Sequence, residues 1–415
     1  WSWVFFFSVL TSYYVLRPIR DDMGVAGGVQ NLSWLFTGTL VGMALANPAF
    51  GFVATRFPRE RVVSIGYRFF AINLVLFFLL FTLSTGARNI WAGRVFFVWS
   101  AVFNMFVVSI FWSVMTDAFS TAQGRRLFGF IGAGGTIGAI TGAGLTTGLV
   151  SVIGTANLLL VSAVLLEVAA FAARRVFQHA PRDPRRGASD DALASALGGQ
   201  AWDGFKRTLA DPYLRGIACN VVLFTLLTTI LYFQQATIVD ATISNRVART
   251  QFFASIELTV NVLALVTQAF ATARLVRYFG LTAALAYLPV LGLVGFTALG
   301  LMPTIGVLIA FQVIRRAGNF AITKPAREVL FTVTPRADRY KAKNFIDTFV
   351  YRTGDQIGAW GYTLLLTLGF SMTGMSAVGV GLAIVAIGVA VWLGRRQQVL
   401  ERTFARPHGP FAPPS

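Results

Sequence analysis

Thiols and imidazoles are nearly missing from this chain. Cys219 is the only cysteine, which excludes an intramolecular disulfide and any thiolate metal cluster. His179 falls in a polar connection and His408 in a C-terminal tail, so no imidazole relay runs through an apolar segment. A proton-transfer step would have to use carboxylates. Charge is scarce as well: Asp, Glu, Lys and Arg make up 13% of the residues, against about 25% in a soluble globular chain. No Ser–His–Asp set, metal-ligand cluster or HExxH sequence occurs, so the chain offers no candidate for enzyme chemistry and no cofactor or metal site is expected. One phosphate-loop lookalike, GAGGTIGAITGAG, lacks the GxxxxGK signature and follows no strand. Its Gly134, Gly138 and Gly142 are four apart, which predicts a smooth helix face for close packing or for flexing.

What the chain does have is apolar length. Hydrophobic residues make up 55% of its 415 positions and the mean hydropathy is +0.66. The apolar runs are about 20 residues long, the length that crosses a hydrocarbon core. They are too long and continuous for a β-barrel. The expected fold is an all-α polytopic membrane protein with twelve transmembrane helices in two six-helix bundles. The spans are predicted at 1–23, 32–53, 62–83, 90–119, 127–150, 154–177, 214–240, 251–275, 281–301, a hairpin across 315–355, and 375–392. Residues 1–177 and 214–400 form the bundles. Residues 178–213 are read as a cytoplasmic linker with a short surface helix over 190–209, and 401–415 as a disordered tail.

The formal net charge of +18 would suit nucleic acid in a soluble protein. Here the basic residues cluster in turns: TRFPRER, the Arg125–Arg126 turn, the linker, the Arg274 and Arg277 turn, PRADRYKAK, and RRQQ. In a twelve-helix count all of these fall on one side, and the opposite loops, such as LMPT and GFSMTG, are poor in charge. By the positive-inside rule both termini are cytoplasmic, the location is a cell inner membrane, and no nucleic-acid partner is expected. Trp1–Leu16 lacks a basic start and a small-residue cleavage site, so no cleavable signal is expected there; the absent initiator methionine leaves room for residues before Trp1. Weak matches between the halves share a shift near 220 residues: ATRFPRER with RLVRYFG, GTIG at 135–138 with DQIG at 355–358, and IRD at 19–21 with IVD at 238–240. This predicts a parallel repeat with substrate held between the bundles.

The informative charges lie inside the spans. A charge at mid-bilayer costs about 2.5–3.5 kcal/mol on insertion scales, so it must line an aqueous path or be paired. In the first span Arg17, Arg20 and Asp21 share a face, and Pro18 can kink the helix there. The hairpin carries Arg315, Arg316, Lys324, Arg327, Glu328, Asp347, Arg352 and Asp355. Lys324, Arg327 and Glu328 share one face; Asp347, Tyr351 and Asp355 are four apart and share another. The substrate-binding set is read as Arg17, Arg20, Asp21, Arg315, Arg316, Lys324, Arg327 and Arg352. The coupling or gating set is Glu257, Glu328, Asp347 and Asp355, with Glu257 midway along the eighth span and Asp355 midway along the eleventh. Guanidinium groups bind phosphate in a fork, and cations outnumber acids here, so the ligand is expected to be a small anion. Arg17 with Asp21, or Lys324 with Glu328, could instead be structural ion pairs.

GFVATRFPRERVV resembles a degenerate form of the loop between the second and third helices of the major facilitator superfamily. Gly51, Arg56, Arg59 and Arg61 fit that pattern; Thr55 stands where an acid is usual and Pro58 where a second glycine is usual. YYVLRPIRDDMG and RYKAKNFIDTFVYRTGDQIG resemble bacterial relatives of the ATP/ADP translocase (nucleotide exchange) family. The positions that carry this are Arg17, Arg20 and Asp21, then Lys341, Lys343, Asp347, Arg352 and Asp355. The resemblance implies transport of a phosphorylated, nucleotide-like anion. Arginines before Asp21 replace that family's usual lysine–aspartate pair, which points away from ATP itself. The expected function is secondary transport by alternating access, by exchange or with proton coupling, from a monomer in the lipid bilayer. The alternatives are a flippase for lipids or lipid-linked precursors and a non-transport scaffold or sensor.

Overall fold

A computed structural model describes Trp1–Arg56, Arg59–His179, Gln200–Phe270, Thr272–Thr334 and Arg336–Phe404. The first part of the expected linker, the expected disordered tail beyond Phe404 and the centre of the TRFPRER turn lie outside these residues, as do the side chains of Arg274, Arg277, Arg336 and Arg339. Among the described residues there are helices and no strands.

The first four helices are α1 (Ser2–Ala26), α2 (Leu32–Arg56), α3 (Arg59–Leu83) and α4 (Ala87–Ala118). The run Thr121–His179 breaks at Gly154, whose φ of 78° lies in the left-handed region that favours glycine; this makes α5 (121–153) and α6 (155–179). After the linker come α7 (Gln200–Ala210), α8 (Pro212–Thr242), α9 (Arg246–Phe270) and α10 (Thr272–Leu301). The hairpin is α11 (Ile305–Gly318), a π-turn (Asn319–Thr323), α12 (Lys324–Leu330), α13 (Arg336–Phe345), a second π-turn (Ile346–Val350) and α14 (Tyr351–Thr367). The last helix is α15 (Met372–Phe404). Eight of these runs are long and apolar enough to cross a membrane, and one of them, Arg126–His179, is long enough for two. The element order fits the expected all-α, twelve-helix fold.

The helices pack into two compact units. The first comprises Trp1–Asp190, Tyr232–Leu265 and Thr304–Val313; the second comprises Asp191–Leu231, Val266–Pro303 and Ile314–Ser415. In the first unit α1 makes its largest contact with the α5–α6 run. The glycine stripe explains why. A Cβ on Gly138 would come 2.5 Å from the Phe7 carbonyl oxygen, and one on Gly142 would strike that of Thr11. Only glycine lets the two backbones approach so closely. Phe5, Tyr67, Phe103 and Phe111 fill the adjoining core, and the Tyr67 hydroxyl donates to the Val107 carbonyl at 2.9 Å.

The second unit also has a close glycine contact, here against side chains. Gly354 and Gly358 of α14 lie against Thr225 and Thr229 of α8, with a Cβ on Gly358 2.9 Å from that of Thr229. Gly358 closes the DQIG segment and Gly138 the GTIG segment, so both matched segments place a glycine at a close helix contact. The short helix α7 packs on α13: Phe205 meets Phe345 at 5.8 Å, and Gly204 sits against the Lys341 carbonyl. A helix thus stands at 200–210, docked on α13, while the first half of the surface helix expected over 190–209 lies outside the described residues.

Candidate functional site

The first unit gathers buried charge around the second half of α1. Arg17 Nη1 lies 3.2 Å from Glu257 Oε2 of α9, and the Glu257 side chain is 2% exposed. Asn261, one turn further along α9, donates its side-chain amide to the Glu257 carbonyl at 2.7 Å. Arg20 stacks over Phe97 of α4 at 4.1 Å and approaches Asp21 Oδ1 at 4.0 Å. The same Asp21 oxygen accepts the Tyr232 hydroxyl of α8 at 3.1 Å. Gln312 of α11 donates to Gln235 of α8 at 2.6 Å, and both amides are buried. Arg17 and Glu257, both singled out from the sequence, are thus brought together. The spacing within α1 could not reveal this pairing, because Glu257 lies far along the chain.

Asp22, next to Asp21, anchors a set that the sequence reading missed. Asp22 is fully buried and accepts from two arginines of α9: Arg249 Nε at 2.7 Å and Arg246 Nε at 3.2 Å. Arg246 also donates to Asn89 Oδ1 at 3.2 Å and lies over the Phe81 ring at 5.4 Å. One carboxylate between two guanidiniums leaves a net positive cluster, held by hydrogen bonds that satisfy the acid from both sides. The available signal was the doublet of acids at 21–22, of which only the first was taken up.

In the second unit, Arg315 donates from Nη1 to the Thr228 hydroxyl at 3.0 Å, and Arg316 beside it is half-buried. Arg327 lies over Phe224 at 5.9 Å. Lys324 is exposed. Glu328, which the spacing offers to Lys324, is held by Lys343 of α13, so the paired acid ties the two arms of the hairpin. Arg352 meets Asp355 at 3.5 Å one turn apart, with Arg352 the more exposed partner. Asp347 sits in the second π-turn and is exposed, while Asp355 is half-buried. The wider turn interrupts the four-residue register, so the expected common row of Asp347, Tyr351 and Asp355 is broken. No group of three or more His, Cys, Asp or Glu that could hold a metal occurs among the described residues.

Residues 2–339 match the model of the Major Facilitator Superfamily. The chain belongs to this superfamily. Solved superfamily-like structures resemble it over nearly their whole length. A bacterial homologue of the iron transporter ferroportin, in an inward-facing state, matches with TM-score 0.69 at 13% identity, covering 95% of this chain and 97% of that one. The nucleoside transporter NupG matches with TM-score 0.61 at 16% identity, covering 97% of each chain. The xylose transporter XylE from E. coli, in an inward open conformation, matches with TM-score 0.59 at 13% identity, covering 93% and 94%. At these identities the likeness establishes the fold. No curated protein sequence matches the chain. Superfamily membership makes this a multi-pass membrane transporter by fold, acting on a small solute within the lipid bilayer. The resemblance to nucleotide exchangers is a finer statement than the superfamily match makes.

Proposed function

We propose that this transporter moves a phosphorylated, nucleotide-like organic anion by alternating access, and that Arg17 with Arg20 forms the anion-binding part of the first unit. The observation that supports this most is the buried Arg17–Glu257 pair. A buried carboxylate keeps an arginine charged and oriented within an apolar bundle. An incoming phosphate would compete with Glu257 for the Arg17 fork, and taking a proton would let Glu257 give it up. Release of the anion would return Arg17 to Glu257 and expel the proton. This exchange of partners gives the differential affinity that a conformational switch requires. Asp355 would stand to Arg352 in the second unit as Glu257 stands to Arg17, with Arg315, Arg316, Lys324 and Arg327 as further cations and Glu328 and Asp347 as gating acids. Two six-helix bundles, 1–177 and 214–400, with cytoplasmic termini in an inner membrane, complete the reading.

The test is a liposome uptake screen with radiolabelled nucleotides, inorganic phosphate and sugar phosphates. Saturable uptake of a phosphorylated solute that is lost in Arg17→Ala supports the proposal. Uptake confined to uncharged solutes would sink it. The topology is tested separately: a cysteine in place of Ser189, in a Cys219→Ala background, should resist impermeant thiol reagents in intact cells, and ready labelling would reverse the orientation.

A second reading, a lipid or lipid-linked flippase, is favoured by one feature of the second unit. A cavity of about 700 Å³ is lined by Ala283, Tyr287, Val290 and Val294 of α10 and Ile322 of the π-turn. Its walls are apolar and would suit an acyl chain. Adding fluorescent phospholipid to the same liposomes distinguishes the two readings: scrambling or directional flipping without anion uptake would favour the lipid.

A further inference from the structure

Two charges within apolar helices play no part in the anion site. Arg68 of α3 and Glu167 of α6 both belong to the first unit, and their closest approach is 3.7 Å, outside ordinary hydrogen-bond distance. Their side chains are 50% and 52% exposed. The residues around them on the same two helix faces are exposed and apolar: Ile65, Phe69 and Ile72 on α3, Val164 and Phe171 on α6. That pattern is a lipid-facing surface with one ion pair set into it.

Depth makes the pair unusual. Arg68 is nine residues from the start of α3 and Glu167 twelve from the end of α6, about 14 and 18 Å at 1.5 Å per residue. Each helix exceeds a hydrocarbon core of about 30 Å by only a few ångströms at either end. Both charges therefore lie about 10–14 Å inside the hydrocarbon, too deep for a lipid headgroup to meet them without local thinning. Charges at this depth normally face a protein interior. A guanidinium has five donors and a carboxylate about four acceptor sites, so a single loose contact leaves most of that capacity for another partner.

The pair is self-complementary. Arg68 and Glu167 sit side by side on adjacent helices at similar depth. A twofold axis along the membrane normal, passing between them, would set Arg68 of one copy opposite Glu167 of the other, and the reverse. We propose that the α3–α6 face is an interface between two copies of this chain, closed by reciprocal Arg68–Glu167 ion pairs. Each copy would remain a complete transport unit.

The test uses full-length protein in proteoliposomes with two independent readouts. Photobleaching steps of singly labelled protein should show dimers for the wild type. Arg68→Glu and Glu167→Arg should each lower the dimer fraction at least tenfold, and the double swap R68E/E167R should restore it. Independently, and with the native charges kept, chains carrying Ile72→Cys and chains carrying Val164→Cys, both in a Cys219→Ala background, are mixed before reconstitution. Disulfides should form between the two kinds of chain. Single-step bleaching of the wild type at every protein-to-lipid ratio would overturn the proposal, as would a charge swap that fails to restore dimers, the absence of mixed disulfides, or crosslinking to a different protein only.

Discussion

The two units hold their arginines in different ways. In the first, Arg17, Arg246 and Arg249 each meet a buried carboxylate contributed by a distant helix, and two of the three share Asp22. In the second, Arg315 is held by a hydroxyl, Arg327 lies over an aromatic ring, and Arg352 meets an acid one turn away on its own helix. The first arrangement ties α1 to α9 through buried ion pairs. The second leaves cations on short tethers near more exposed acids. Removing one partner of a buried pair strands the other charge, whereas a half-exposed pair within one helix is worth little. The same residue type therefore carries structure in one place and adaptable charge in the other.

This contrast is sharpest in the acids. Asp22→Ala should destabilise the purified protein by about 3–5 kcal/mol, because two guanidiniums lose their counter-charge in a buried site. Asp355→Ala should cost less than Asp22→Ala, because the one guanidinium it leaves, on the 42% exposed Arg352, stays solvated. Thermal unfolding in detergent, followed for both variants side by side, checks this; equal losses would erase the distinction between the units. The glycine contacts should both resist a larger side chain, Gly138 because the Phe7 backbone lies in the way and Gly358 because the Thr229 side chain does. Gly138→Leu and Gly358→Leu are each expected to cost about 1–3 kcal/mol by overpacking or more where backbone must move. A loss confined to Gly138→Leu would mean that the second contact is looser than its geometry suggests. The smallest effect is expected from Lys324→Ala, an exposed side chain, which should leave stability within about 0.5 kcal/mol of wild type.

Much of this architecture was legible in the chain itself, because it is written in local periodicity. The apolar runs gave the spans, and the four-residue glycine spacing gave a face for close helix packing, though not α1 as the helix that packs there. Arg17 and Glu257 could be singled out because charge inside an apolar run stands out. Their pairing could not, since it depends on which helices become neighbours. Arg246 and Arg249 begin α9 beside the polar Ser244–Asn245 turn, so they looked like ordinary loop-edge charges, and nothing in the sequence aims them at Asp22. The π-turns at Asn319–Thr323 and Ile346–Val350 were hidden for a different reason. Reading side chains at four-residue steps assumes an unbroken α-helix, and one wide turn shifts every face beyond it.

The central claim is that Arg17 binds the transported anion in exchange for Glu257. The direct measurement is the affinity of purified protein for the phosphorylated solute identified by uptake, taken across pH for wild type, Arg17→Ala, Arg17→Lys and Glu257→Gln. A charge-assisted hydrogen bond contributes about 1.5–3 kcal/mol, so Arg17→Ala should weaken binding roughly tenfold to a hundredfold. Lysine should restore only part of that, because it lacks the fork. Wild-type affinity should rise as pH falls and Glu257 gives up Arg17, and Glu257→Gln should bind tightly with that pH dependence abolished. Unchanged affinity in Arg17→Ala, or a pH profile that Glu257→Gln leaves intact, would contradict the account.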